Sequence, residues 1–282
     1  MNGISIANSH QWVHSSASNS ASYRVTLTLP LFPVDGPVPL LVILDGDTML
    51  HTATETSRTI TASTMGALGQ AAFVGVMRDV PLGLEYMSTR FADFTPTEWT
   101  LPGPFSADNA MVQHGTGGAG AFLDTIVDGI LPEVRHIVQA DESRIGVCGW
   151  SLSGLFAAHA WLTRPDVFSD LVAISPSLWW DDAGILASPV APRPRPSKVL
   201  VTAGEHEEGD ISRVWPQSYF NVQNRETIAQ QRDLAAMVRN ARTFGTMATA
   251  SGADSRTVVL EGEHHVTLVP ASISRALIHL YG

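Results

Sequence analysis

The chain has 282 residues, a formal net charge of -10, 44% hydrophobic residues and 16% charged ones, proportions that suit a globular protein with a large buried interior. Its one lysine, Lys198, leaves no basic stripe of the kind nucleic-acid backbones require, so nucleic-acid binding is excluded. No apolar run reaches the ~20 residues needed to cross a bilayer, and "MNGISIANSHQWVHSS" lacks the basic and apolar regions of a secretion signal, so a soluble cytoplasmic protein is expected. The single cysteine, Cys148, rules out an internal disulfide framework and reads as a buried structural thiol.

In chain order, "YRVTLTLP" (23–30) alternates polar and apolar residues and stops at Pro30, which predicts an edge strand. "PLLVILDGD" (39–47) is a continuous apolar run ending in turn residues, the pattern of a strand covered on both faces. The segments 71–77, 143–149, 170–176, 198–204 and 255–262 have the same character. Amphipathic stretches at 120–138, 152–165, 227–242 and 270–281 predict helices between them. Strands alternating with helices imply a mostly parallel sheet with helices on both faces. Residues 79–117, rich in Pro, Gly, Thr and aromatics, are too long for an ordinary loop and read as a lid or substrate-binding insertion. "SPVAPRPRPS" (188–197) reads as a connector along the surface. No internal repeat and no linker between two cores is visible, so a single α/β domain over 1–282 is expected.

The stretch "GVCGWSLSGLF" (146–156) places Ser151 between an apolar strand and a helical pattern. That is the setting of the nucleophile elbow, G-x-S-x-G, in which small residues permit a sharp strand-to-helix turn. Ser153 stands where the second glycine belongs. If Ser151 is a nucleophile, an acid and a histidine should follow in that order at later strand ends. "VLVTAGEHEEGD" (199–210) supplies Glu205, Glu207, Glu208 and Asp210, and "VVLEGEHHVTLVP" (258–270) supplies His264 and His265. Without HExxH or paired cysteines, the acidic cluster gives no metal-site pattern.

The segment "GWSLSGLFAAHAWLTRPDVFSDLVAISPSLWWDD" (149–182) resembles the esterase branch of the α/β-hydrolases. That branch contains the siderophore esterases, with feruloyl esterases and mycolyltransferases as more distant relatives. "LDGDTML" (44–50), "STRFADFTP" (88–96), "GGAGAFLDTIVDGILPEV" (117–134) and "GEHHVTLVPASISRALIHL" (262–280) carry the same resemblance, which spans most of 23–281. It implies an α/β-hydrolase fold and a serine esterase without cofactor or metal. Its substrate would be a small-molecule ester, of siderophore-like or other bulky type. The departure is Ser153, where most members carry glycine.

The resemblance assigns Ser151 as nucleophile and places the histidine at His265, with His264 the alternative. It selects Glu207 as the acid, with Glu205 second. An oxyanion hole of backbone donors is expected from Leu152 and from Gly46 or Asp47, while Asp45 and Asp47 side chains are expected to shape that loop. Trp179, Trp180, Trp99, Phe91 and Phe94 are candidate pocket walls. Arg90 and Arg78 are candidates for binding an anionic substrate, with surface ion pairing the other reading. An acyltransferase using the same residues, or a non-catalytic binding module on the same fold, are the competing functions.

Overall fold

The computed structural model describes residues 6–102, 111–208 and 225–282. At its centre is one eight-stranded sheet in the order β1-β2-β4-β3-β5-β6-β7-β8. The strands are β1 (Ser9–Ser15), β2 (Ser22–Thr28), β3 (Val38–Leu44), β4 (Ala72–Arg78), β5 (Ala140–Trp150), β6 (Asp170–Ile174), β7 (Lys198–Gly204) and β8 (Asp254–Leu260). The first hairpin, β1 with β2, and the β2–β4 pair are antiparallel; every other pairing is parallel.

Continuous apolar strands arise because both faces of the parallel part are covered. Successive residues of β3 separate cleanly: Leu40, Val42 and Leu44 enter one hydrophobic cluster, Leu41 and Ile43 the other. The same alternation splits Leu171 and Ala173 from Val172 and Ile174 on β6, as the two-residue period of a strand requires. On the first face, α5 (Leu152–Thr163) packs on β5 and β6, and α8 (Met237–Ala250) on β7 and β8. On the second, α1 (Gly46–Ser63) packs on β4 and α9 (Val269–Tyr281) on β6 and β7, and these two helices touch each other. Cys148 faces the second cluster, buried, with its thiol pushed up to about 12 by desolvation.

Several elements differ from the sequence expectation. The strand at 23–30 is not an edge, because β1 pairs along its outer side from Ser9↔Thr28 to Ser15↔Ser22. Half of β1 is exposed, so it lacks the apolar run that marks a central strand. Helix α1 is masked in the sequence by Thr and Ser, which favour other local conformations; here Thr54, Ser57 and Thr61 are buried beside Met49 and Leu50. The stretch 227–242 is two helices, α7 (Arg225–Ala235) and α8, broken at Ala236 in the left-handed conformation (φ 43°). Within 79–117 the described residues contain α2 (Leu84–Phe94); residues 103–110 lie outside the described part. The Pro-rich connector runs over the surface where expected, held by Arg193 and Arg195 through backbone carbonyls, among them those of Trp161 (2.8 Å) and Glu142 (2.8 Å).

Candidate active site

Ser151 sits at the carboxyl end of β5, between Trp150 and the first residue of α5. Its backbone is at φ 60°, ψ -119°, a region that costs a non-glycine residue roughly 1–3 kcal/mol and persists only where surroundings enforce it. Its N–H donates to Ile174 O at 3.0 Å and its C=O accepts from Leu155 and Ser177. The turn is so tight that a Cβ at Gly149 would lie 2.1 Å from Ser153 O; only glycine fits there.

Ser151 Oγ lies 3.0 Å from His265 Nε2, and His265 Nδ1 lies 2.6 Å from Glu207 Oε1. The three residues come from the ends of β5 and β7 and from the turn between β8 and α9. A Cβ at Gly204, the last residue of β7, would lie 2.5 Å from Glu263 O. Glycine there lets the histidine turn close onto the acidic one. Trp150 holds the histidine turn from the other side, its Nε1–H donating to His265 O at 2.9 Å.

Glu207 is 4% exposed. Its Oε2 accepts the Gly204 N–H at 2.6 Å, and its Oε1 accepts the Ser175 hydroxyl as well as His265. Burial raises this carboxyl, but His265, Ser175 and the Gly204 N–H more than offset it, and Glu207 ends below the ordinary glutamate value. The other carboxylates of the cluster are engaged elsewhere. Glu205 accepts the Gly262 N–H at 2.9 Å and Glu208 the Arg239 N–H at 2.9 Å. Asp210 lies outside the described residues. Between the two histidines, the structure brings His265 to Ser151.

Two serines escaped the sequence reading. Ser175, wholly buried with φ 40°, places its hydroxyl 3.0 Å from His265 Nδ1 and against Glu207. Ser177 places its hydroxyl 3.3 Å from Ser151 Oγ. Both belong to "SPSLWW", at the carboxyl end of β6 beside the elbow. That position between two site-bearing strands was the available signal.

Leu152 is the first residue of α5, and Gly46 and Asp47 open α1. N–H groups at the start of a helix have no intrahelical acceptor, and the helix dipole favours negative charge beside them. The Asp47 side chain turns away to Arg24 at 2.8 Å.

Arg90 forms an ion pair, within the core and not at the surface. It is 6% exposed and grips Asp45 with two hydrogen bonds, Nε to Oδ1 at 2.9 Å and Nη2 to Oδ2 at 2.8 Å. Those bonds commit its Nε and Nη2 to a carboxylate of its own chain. Arg78 is likewise paired, to Asp93 at 2.7 Å through both Nε and Nη2. Of the aromatics, Trp180, Phe91 and Phe94 are buried, with Trp180 Nε1 3.2 Å from Thr97 Oγ1. Trp99 and Trp179 are part-exposed, with ring centroids 6.0 Å apart. A cleft of about 620 Å³ opens at Trp99, with Glu98, Thr100, Gly115 and Thr116 on its walls. Among the described residues no His, Cys, Asp and Glu cluster could hold a metal ion, and no helix is long and apolar enough to cross a membrane.

Comparison with known proteins agrees with this architecture. A family model described as "Putative esterase" matches residues 16–243. The ferri-bacillibactin esterase BesA of Bacillus subtilis is 27% identical over 290 residues, 98% of this chain and 90% of that protein. The siderophore triacetylfusarinine C esterase of Aspergillus fumigatus is 28% identical over 278 residues, 90% of this chain and 87% of that protein. Among solved structures, the siderophore hydrolase EstB from Aspergillus nidulans superposes with a TM-score of 0.80 at 24% identity, covering 100% of this chain and 98% of that one. The fold is that of an α/β-hydrolase.

Proposed function

This chain belongs to the "Putative esterase" family and is an esterase, and from that premise we propose that it is a serine hydrolase of siderophore-like esters working through an acyl-enzyme. The observation that carries the reading is the continuous path Ser151 Oγ–His265 Nε2, His265 Nδ1–Glu207 Oε1, at 3.0 and 2.6 Å.

In this reading Ser151 Oγ attacks the ester carbonyl as its proton passes to His265 Nε2. A serine hydroxyl is a poor nucleophile until a neighbouring base takes that proton. The Glu207 carboxylate fixes the tautomer with hydrogen on Nδ1 and stabilises the imidazolium that forms. Its depressed protonation, set by His265, Ser175 and Gly204, keeps it charged for that task. The N–H of Leu152, with that of Gly46 or Asp47, receives the developing oxyanion. Collapse expels the alcohol, which takes the proton from His265 and leaves Ser151 acylated. Water then attacks the acyl carbonyl with His265 again as base, releasing the acid and restoring the serine. No step draws on a cofactor.

The substrate class rests on the relatives, since both curated ones described above are siderophore esterases. Part-exposed Trp99, on the wall of the cleft, and Trp179, its ring centroid 6.0 Å from that of Trp99, offer apolar surface for a large acyl or alcohol group. The test compares wild type with Ser151→Ala over esters running from short acyl chains to siderophore lactones. Separate samples of each protein are treated with a fluorophosphonate to label the serine, and the turnover assays are repeated with a second alcohol present to intercept an acyl-enzyme. Labelling confined to Ser151, and turnover highest on the lactones, is the expected result. Absence of labelling defeats the mechanism, preference for short esters defeats the substrate class, and transfer to alcohol in place of hydrolysis replaces it with an acyltransferase.

A further inference from the structure

Ser177 stands just beyond the carboxyl end of β6 and is 3% exposed. Its backbone is held on both sides: the N–H donates to Ser151 O at 2.9 Å, and the C=O accepts the Trp180 N–H at 3.2 Å. The preceding residue, Pro176, packs so closely on the elbow that a Cβ at Gly154 would lie 3.0 Å from its Cα. Ser177 therefore keeps a fixed station beside Ser151. Its hydroxyl has one hydrogen-bond partner among the described residues, Ser151 Oγ at 3.3 Å. Which oxygen donates follows from the rest of the site. Glu207 accepts the hydrogen on His265 Nδ1, which leaves Nε2 as the acceptor for the single proton of Ser151. The Ser177 hydroxyl is then the donor to Ser151 Oγ.

We propose that Ser177 is a catalytic residue of the second half of the reaction, its hydroxyl donating to Ser151 Oγ as the serine leaves the acyl group; this rests on the serine-hydrolase reading of the site. In the resting enzyme Oγ belongs to an alcohol, a good acceptor, and the bond is already made. Attack on the ester uses the other lone pair, so acylation gains little from Ser177. In the acyl-enzyme Oγ is the alkoxy oxygen of an ester. Its lone pair is drawn into the carbonyl, which makes it a poor acceptor. As water adds to that carbonyl and His265 takes its proton, the conjugation is lost and Oγ accepts fully again. When the adduct collapses, the C–Oγ bond breaks with its electron pair staying on Oγ. The proton on His265 Nε2 passes to Oγ, and the Ser177 proton stays on Ser177. The hydroxyl thus binds the transition states of deacylation more tightly than the acyl-enzyme that precedes them, which is the condition for acceleration. The 3.3 Å spacing is longer than the roughly 2.5–3.0 Å usual for O–H···O. Catalytic hydrogen bonds are often long in the free enzyme and tighten in the transition state.

The test uses the full chain with Ser177→Ala and with Ser177→Gly, both of which keep the backbone bonds of residue 177 and delete the hydroxyl. Fluorophosphonate labelling of Ser151 and turnover of a nitrophenyl ester by wild type come first, because their absence defeats the serine-hydrolase reading and this inference with it. With both present, the rate of the nitrophenol burst reads acylation, and decay of the acyl-enzyme, followed by intact-protein mass spectrometry, reads deacylation. Deacylation should fall about ten- to a hundredfold in both variants, the scale of one hydrogen bond to a charged group, with acylation and kcat/KM within about threefold of wild type. KM should then fall together with kcat, the acyl-enzyme should accumulate, and the melting temperature should stay close to that of wild type. Equal slowing of both steps would make Ser177 a general support of Ser151 and overturn the inference while leaving the serine-hydrolase reading intact. Unchanged deacylation, or failure of both variants to fold, would overturn it equally.

Discussion

Ser175 and His265 share one carboxylate oxygen: the Ser175 hydroxyl donates to Glu207 Oε1, which His265 Nδ1 approaches at 2.6 Å. Ser175 reaches it from a left-handed backbone (φ 40°), a conformation that costs a side-chain-bearing residue on the order of 1 kcal/mol. Local strain borne at such a point fits a role in tuning the acid–base pair.

Ser175→Ala should shift the acid limb of kcat/KM. Ser175 is one of the donors that hold Glu207 below its ordinary value against the cost of burial. Without it the carboxylate takes up its proton at higher pH, and the limb moves upward. Ser175→Gly should give the same shift while relieving the backbone strain, so its melting temperature should lie above that of the alanine variant. pH profiles of kcat/KM and thermal melts read both effects.

Glu207→Gln preserves shape but removes charge, and kcat should fall by about 10² to 10⁴. Glu205→Gln should stay near wild type, since Glu205 serves the Gly262 N–H. Steady-state rates on one aryl ester separate the two carboxylates.

The same Glu207→Gln variant has a stability signature. Folding holds Glu207 below its ordinary value of 4.5, so its ionised form contributes stability above that pH. That contribution is lost as pH falls through the lower folded value. The stability difference between wild type and variant should be largest above about pH 5 and shrink toward pH 3. Denaturant titrations across that range check the sign.

Arg90→Met should lower stability by about 3–5 kcal/mol, because it leaves Asp45 buried without its cation. If Arg90 also acted at the substrate, kcat or KM would change along with the melting temperature. Thermal unfolding of the variant beside its kcat and KM separates the two roles.

Gly149→Ala should be among the most damaging single-methyl changes, destabilising by about 3 kcal/mol or more. Its Cβ would meet the Ser153 carbonyl at 2.1 Å, and neither backbone can give way without moving Ser151. Soluble yield and melting temperature report it.

The sequence by itself determined the parallel core and the order of the site. Apolar runs such as "LLVIL" and "RIGVC" are covered on both faces wherever they fold, so they announce buried parallel strands without reference to partners. The serine, acidic cluster and histidines lie at the ends of such runs, and the chain order alone aligned them. The resemblance selected Glu207, but residue pattern alone left the carboxylates open, since Glu205, Glu207 and Glu208 differ by which way a short turn points them; in the tertiary structure it is Glu207 that meets His265. Only the tertiary structure made Arg90 a buried partner of Asp45, placed Ser175 and Ser177 in the site, and tied Ser153 to Asp45. Each of those depends on contacts between residues 26 to 108 apart in sequence. Periodicity reports which face of an element is buried, but not which side chain waits on the other side.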